Sequence, residues 1–281
     1  MLELPEVEVL RKDLEKEIVG KRVKEVDVKI AAIVRPYHRT RPEFAKALEG
    51  RKIEAVRRRG TVLFLDLDDE HSWVIDPGDT TTLHRETINE PAGPDTDVVV
   101  TFTTGGAIHV TDPSEGESCH MGVVPTQEAF AAAEVPPDAL DLFEDNPTWL
   151  AFAERLQAAA DPLKQLLMDE RHVLGIGTVY SDEALWAAGL SHDRSSETLS
   201  TQEVRRLYRA TQEVLQAAIK QRGTTLEDAT PDLAFDEEGE PIAHLKVYGR
   251  EGQPCLRCRR TVVKTKVKGR YLTYHCRGCQ I

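Results

Sequence analysis

The sequence predicts an α+β protein: a leading helix and an antiparallel β region, then a helical domain, then a cysteine-bearing β-hairpin. Three observations carry this reading. Leu4, Val7, Leu10, Leu14 and Ile18 recur at the helical period. Short runs of β-branched and aromatic residues then follow one another to about residue 125, after which the period becomes helical. Finally, four cysteines near the C-terminus form two C-x2-C pairs with seventeen residues between them.

The strand-like runs are "VKEVDVKI", "TVLFLDL", "SWVID", "DVVVTFTT" and "AIHVTD", separated by turn-rich pieces such as "LDDEH" and "TTGG". "EVPPDALDLFEDNP" reads as a linker. Beyond it, "TWLAFAERLQAAA", "PLKQLLMDE" and "TVYSDEALWAAGL" read as helices, with Pro162 near the first turn of the second. Ser200 and Glu203 have the spacing of a capping box for a long helix that ends at Gly223, a suitable C′ residue. The expected divisions are residues 1–128 for the N-terminal domain, 129–145 for the linker, 146–243 for the helical domain and 244–281 for the cysteine hairpin. "DEEGEP" reads as a solvated acidic loop.

The 281 residues carry a formal net charge of −12 and 40% hydrophobic residues. That charge argues against a phosphate-rich partner until it is divided by segment. From His244 to Ile281 there are ten Lys/Arg and one acid, so this end carries roughly +9 and the remainder roughly −21. A basic module on an acidic body is the footprint expected of docking on phosphate. The N-terminus "MLELPEVEVLRKDLEKE" is charged and amphipathic, unlike a signal peptide, and no apolar run approaches the ~18 residues of a membrane span. A cytoplasmic location is therefore expected, where paired cysteines serve more often as metal ligands than as disulfides.

Cys255, Cys258, Cys276 and Cys279 match the zinc-ribbon spacing. Four thiolates close the coordination sphere, so a structural Zn²⁺ is expected, with a β-hairpin between the pairs. Its cations Lys264, Lys266, Lys268 and Arg270 are expected to project to one side, with Arg270 best placed for a planar phosphate contact. Cys119 reads as an ordinary free thiol. Gly175 and Gly177 free the backbone just before a helix N-terminus, where N–H groups and the helix dipole can hold phosphate.

With these residues in view, the sequence resembles the formamidopyrimidine-DNA glycosylase / endonuclease VIII family. The resemblance spans nearly the whole chain. It rests on "ELPEVEVLRKDLE", on "PLKQLLMDERHVLGIGTVYSDEALWAAGL", and on "VYGREGQPCLRC" with "GRYLTYHCRGCQ", three motifs in the family's order. The resemblance implies an N-terminal β-sandwich, a helix–two-turn–helix, a zinc finger, and double-stranded, damaged DNA as partner, bound by a monomer in the nucleoid. It also implies a base flipped from the duplex. Carried over by motif, Glu3 and Glu6 match catalytic-segment glutamates, Lys164, Gly175, Gly177, Thr178, Lys268 and Arg270 match phosphate contacts, and the four cysteines match the zinc ligands.

The departures are specific. Leu2 stands where the family has the proline whose amine attacks C1′, and a bulky second residue disfavours removal of Met1. Thr61 replaces a lysine after "RRG". Asp79 replaces a methionine wedge. "DPSEGESCHMG" lacks the family's arginine and aromatic, for which His120 and Met121 are the nearest stand-ins. Two readings follow: a DNA glycosylase that hydrolyses the N-glycosidic bond through Glu3 without a Schiff base, or an inactive paralogue that recognises or shields damaged DNA. A third, blander one is a zinc-stabilised scaffold that meets protein.

Overall fold

The computed structural model describes residues 2–78, 81–86, 92–223, 245–267 and 271–281. Met1, Asp79, Lys268, Arg270 and the "DEEGEP" run lie outside these residues.

Two compact units are present. One comprises Met1–Leu2 and Val7–Pro137, the other Glu3–Glu6 and Asp138–Ile281. The first unit opens with the remainder of helix α1 (Leu4–Ile18), followed by β1 (Val23–Val28), α2 (Arg41–Leu48), β2 (Ile53–Arg59), β3 (Val62–Leu67), β4 (His71–Asp76), β5 (Thr82–Glu86), β6 (Val98–Phe102), β7 (Ala107–Thr111), β8 (His120–Pro125) and the short α3 (Ala129–Ala132). The strands form two four-stranded antiparallel sheets, ordered β1-β6-β7-β5 and β2-β3-β4-β8. The apolar stripe foreseen on α1 is buried from end to end.

Three strands and two helices, α2 and the short α3, escaped the sequence reading. β2 is "IEAVRRR", whose three arginines obscure the alternation. Two of those charges are neutralised internally: Arg57 forms a bidentate pair with Asp66 on β3, and buried Arg58 donates to Glu8 at 3.0 Å and to the Gly60 carbonyl at 3.0 Å. Helix α2 carried legible signals, with Thr40 accepting the Glu43 N–H at 3.3 Å and Pro42 in its first turn. β5 and β8 are short and polar at their ends. Met121 lies wholly buried in β8, which removes it as a candidate to enter a duplex.

The second unit contains α4 (Trp149–Gln157), α5 (Leu163–Leu167), α6 (Thr178–Ala188), α7 (Thr201–Lys220) and the hairpin β9 (Val263–Val267) and β10 (Tyr271–His275). Its core gathers Phe152, Leu163, Leu166, Tyr180, Leu185 and Leu207. The capping box of Ser200 and Glu203 is present. The expected C′ residue shifts by one. Arg222 takes the left-handed conformation at φ 67°, and Gly223 follows it, its N–H donating to the Ala218 carbonyl at 2.8 Å. This is a Schellman motif with a non-glycine C′. Leu140, in the stretch expected as linker, exchanges backbone hydrogen bonds with His172 and Leu174 and so joins the turn between α5 and α6.

Candidate functional site

The N-terminal segment is threaded onto the two turns between α5 and α6. The N–H of Leu4 donates to the Gly175 carbonyl at 2.8 Å. The Glu3 carboxylate then accepts three backbone N–H groups at the mouth of α6: Gly177 at 2.7 Å, Val179 at 2.9 Å and Tyr180 at 3.2 Å. A helix leaves its first N–H groups without internal partners, and an anion there also meets the positive end of the dipole. Glu3 fills this role for a helix 174 residues away in sequence. Both glycines are required by space: a Cβ on Gly177 would lie 2.6 Å from Glu3 Oε1, and one on Gly175, already at φ +71°, would lie 2.7 Å from Leu4 Cβ.

The N–H groups of the glycine turn have partners within the chain. The Gly177 N–H belongs to Glu3, and the Gly175 N–H donates to the Glu170 carboxylate at 3.0 and 3.2 Å. Both groups are thus hydrogen-bonded to acidic side chains of the same chain. Lys164 is likewise engaged within the chain. It is 1% exposed, and its ammonium donates to Asp182 Oδ1 at 2.6 Å and to the Thr178 carbonyl at 3.0 Å. Thr178 itself, the first residue of α6, is half-buried, and its carbonyl is the one that accepts from Lys164.

Glu3 is 2% exposed. Burial, with the Glu6 carboxylate beside it, pushes Glu3 up to about 7, against the pull of the three N–H groups. A carboxyl that titrates near neutral pH can both give and take a proton under working conditions. Glu6 is wholly buried and accepts from the Tyr180 hydroxyl at 2.6 Å and from the Glu3 N–H at 3.1 Å. It is thereby built into the frame that holds Glu3. Leu2, at the position where the resemblance places a proline, is also buried.

At the other end of this unit the four predicted cysteines converge. Their sulfurs all lie within 4.8 Å of one another, with Cys255 to Cys279 at 3.8 Å and Cys258 to Cys276 at 3.4 Å. Four sulfurs bound tetrahedrally at about 2.3 Å from one metal would sit roughly 3.8 Å apart, so the cluster fits a metal of that kind. Burial works against a Cys255 thiolate. The N–H groups of Cys258, Trp186 and Arg257 outweigh it and bring that thiol down to about 6. The Trp186 indole N–H lies 3.4 Å from Cys255 Sγ, and Arg257 stacks on the same indole. Cys119 plays no part in this cluster: it is buried in the first unit, and burial raises its thiol to about 12.

Comparison with known proteins now decides the family. Residues 1–117 match the formamidopyrimidine-DNA glycosylase N-terminal domain, and residues 137–230 match the formamidopyrimidine-DNA glycosylase H2TH domain. The formamidopyrimidine-DNA glycosylase of Herpetosiphon aurantiacus is 34% identical across the full length of both chains. The chain belongs to the formamidopyrimidine-DNA glycosylase family. The glycosylase of Desulfitobacterium hafniense is 32% identical, again over the whole of both chains. Among solved structures, Lactococcus lactis Fpg in complex with DNA containing an abasic site superposes with a TM-score of 0.86 at 25% identity, covering 99% of each chain. The same protein with N7-benzyl-Fapy-dG DNA gives 0.86 at 26%.

Sequence reasoning missed four residues that organise the site of this family member. Asp182 and Glu183, adjacent on α6, are both buried acids. Asp182 receives the Lys164 ammonium and the Tyr274 N–H at 2.7 Å. Glu183 receives the N–H groups of Lys246, Val247 and Tyr248 at 2.8–2.9 Å. Burial raises Asp182 to about 6 and Glu183 to about 7. Tyr180 places its phenol at Glu6, and the Tyr248 ring meets the Tyr274 ring edge-on at 4.8 Å. The available signal was the adjacent acid pair in "YSDEALW", which cannot be solvated on a helix that is otherwise apolar on nearly all sides.

Proposed function

We propose that the chain is a DNA glycosylase that releases damaged bases from duplex DNA by hydrolysis, with Glu3 as its general acid–base and without a proline amine. The observation that carries this is the Glu3 carboxyl, buried at the mouth of α6, fixed by three N–H groups and raised to about 7. Family membership supplies the reaction class. Relatives solved with abasic-site and Fapy-dG DNA support damaged DNA as the partner.

The step balances without a covalent intermediate. Glu3 in its ionised form takes a proton from a water molecule. The water oxygen bonds to C1′ as the C1′–N bond breaks, and the base leaves with the bonding pair and picks up a proton. Leu2 favours this route, because it removes the secondary amine that would otherwise attack C1′.

The four-cysteine cluster is assigned to Zn²⁺, for which four thiolates in a closed tetrahedron are the commonest structural set. The phosphate contacts are assigned to the finger, at Lys268 and Arg270, and to Thr178. Gly175, Gly177 and Lys164 shape the α6 mouth from within.

A second reading, an inactive paralogue that recognises or shields damaged DNA, is favoured by Leu2 and Thr61 standing where catalytic groups belong. One experiment separates the two. Single-turnover release of free base is measured on duplexes carrying formamidopyrimidine, oxidised-purine and oxidised-pyrimidine lesions. Release by the wild type, with a loss of about 10²–10⁴-fold in Glu3→Gln, supports the glycosylase. Salt-sensitive binding with no release on any duplex supports the paralogue.

A further inference from the structure

Tyr180, in the first turn of α6, is wholly buried in one cluster with Phe152, Leu166 and Leu185. It holds Glu3 from two directions. Its backbone N–H donates to Glu3 Oε2 at 3.2 Å. Its phenol donates to Glu6 Oε1 at 2.6 Å, and the other Glu6 oxygen accepts the Glu3 N–H at 3.1 Å. The three residues thus close a ring of hydrogen bonds: Glu3 carboxylate to Tyr180 backbone, Tyr180 hydroxyl to Glu6 carboxylate, Glu6 carboxylate to Glu3 backbone. Glu3 is thereby fixed at its side chain and its main chain together.

Glu6 is hemmed in on a further side. A Cβ on Gly223, at φ +83° just past the end of α7, would lie 2.8 Å from Glu6 Oε1 and 2.9 Å from Glu6 Cγ. The main chain therefore closes directly on this carboxyl and keeps it against the phenol. A hydrogen bond from a hydroxyl to an ionised acceptor is roughly twice as strong as one between neutral groups. The Tyr180 hydroxyl accordingly favours the ionised form of Glu6. Burial is the larger cause of the raised Glu3 carboxyl, and the Glu6 charge beside it adds to the effect.

We infer that Tyr180 is a positioning residue for the Glu3 carboxyl, its N–H acting directly and its phenol acting through Glu6. By holding negative charge on Glu6, the phenol leaves the exchangeable proton of the two acids on Glu3, the member at the mouth of α6. The other titratable groups that Glu3 feels are Lys164 on α5 and Tyr248, and neither is altered in the variants that test the ring.

Only the effect on activity depends on the proposed role of Glu3, so the test reads the carboxyls themselves. The ¹³C-carboxyl resonances of Glu3 and Glu6 are titrated in wild type, Tyr180→Phe, Glu6→Gln and the double variant, with base release measured over the same pH range. Tyr180→Phe keeps the aromatic ring and the N–H and removes only the hydroxyl. The Glu3 midpoint is expected to fall by about half a pH unit in this variant, with Glu6 carrying a larger share of the titration. In Glu6→Gln the neighbouring charge is gone, and the fall should reach about one unit. Adding Tyr180→Phe to Glu6→Gln should move the midpoint no further. The pH profile of base release should shift with the midpoint, and kcat should fall about tenfold in Tyr180→Phe with KM nearly unchanged. An unchanged Glu3 midpoint in folded Tyr180→Phe overturns the inference, as does a double variant whose midpoint falls well below that of Glu6→Gln. If Tyr180→Phe does not fold, Glu6→Gln decides, and an unchanged midpoint there overturns the inference too. Moved midpoints in a protein that releases no base from any lesion would leave the ring standing and overturn the glycosylase reading alone.

Discussion

The carboxylate of Glu3 accepts the backbone N–H of Val179 at 2.9 Å, across 176 positions of sequence. This bond, with its companions from Gly177 and Tyr180, makes the second residue after the initiator the N-terminal cap of α6. It also places an ionisable group in a buried setting where burial and the helix dipole oppose each other.

That opposition has a pH signature. Folding raises Glu3 from 4.5 to about 7, so between these values the folded state binds more protons than the unfolded chain. Its contribution to stability therefore falls as pH rises through that window, at up to about 1.4 kcal/mol per pH unit. Glu3→Gln removes the titration. Relative to this variant, the wild type should lose stability between pH 5 and pH 8. Urea denaturation of both proteins at each pH measures the difference, and a constant difference would contradict the assignment.

Gly177→Ala should damage the site without straining the backbone. Gly177 has φ −103°, which any residue adopts, but the new Cβ would lie 2.6 Å from Glu3 Oε1. Glu3 must move, so base release should fall at least tenfold, about 1.4 kcal/mol in the barrier, while far-UV circular dichroism is retained. Gly175→Ala combines φ +71° with a 2.7 Å approach to Leu4 Cβ, and should instead lower stability by about 1–3 kcal/mol.

Lys164 and Asp182 should behave as a pair. Both are at most 1% exposed and lie 2.6 Å apart. Lys164→Met leaves the Asp182 charge buried without its cation, at a cost of about 3–5 kcal/mol. Adding Asp182→Asn should recover much of that loss in denaturant titrations. If Lys164 served chiefly as a phosphate contact, the double variant would be stable yet lose DNA affinity with a smaller salt slope.

The cysteine cluster should release its metal on acidification. The ligands must be thiolates, so protons compete with the metal as the pH falls. A chromophoric chelator should report release that accelerates on acidification, and Cys276→Ser should lose metal at neutral pH. DNA retention at low salt should fall in parallel with metal content.

Much of this was legible in the sequence. The helical stripe from Leu4 to Ile18, the capping box of Ser200 and Glu203, and the paired C-x2-C turns are local patterns whose physics operates within a few residues, and the structure contains all of them. β2 was not legible, because its arginines are neutralised by Asp66 on the next strand and by Glu8 on α1. The glycine turn was legible as a place of close approach, but its partner within the chain was not, since the carboxylate that takes the Gly177 N–H belongs to Glu3, 174 residues away.

The sequence by itself determined the leading helix, the paired cysteines and the family, because periodicity, capping and ligand spacing are properties of short segments. Only the tertiary structure decided that Glu3 caps α6, that Lys164 is paired with Asp182, and that Glu183 holds the finger's lead-in. Each of these joins residues far apart in the chain, and each depends on burial, which gives a carboxylate or an ammonium its pKa and its partners only after the chain has folded around it.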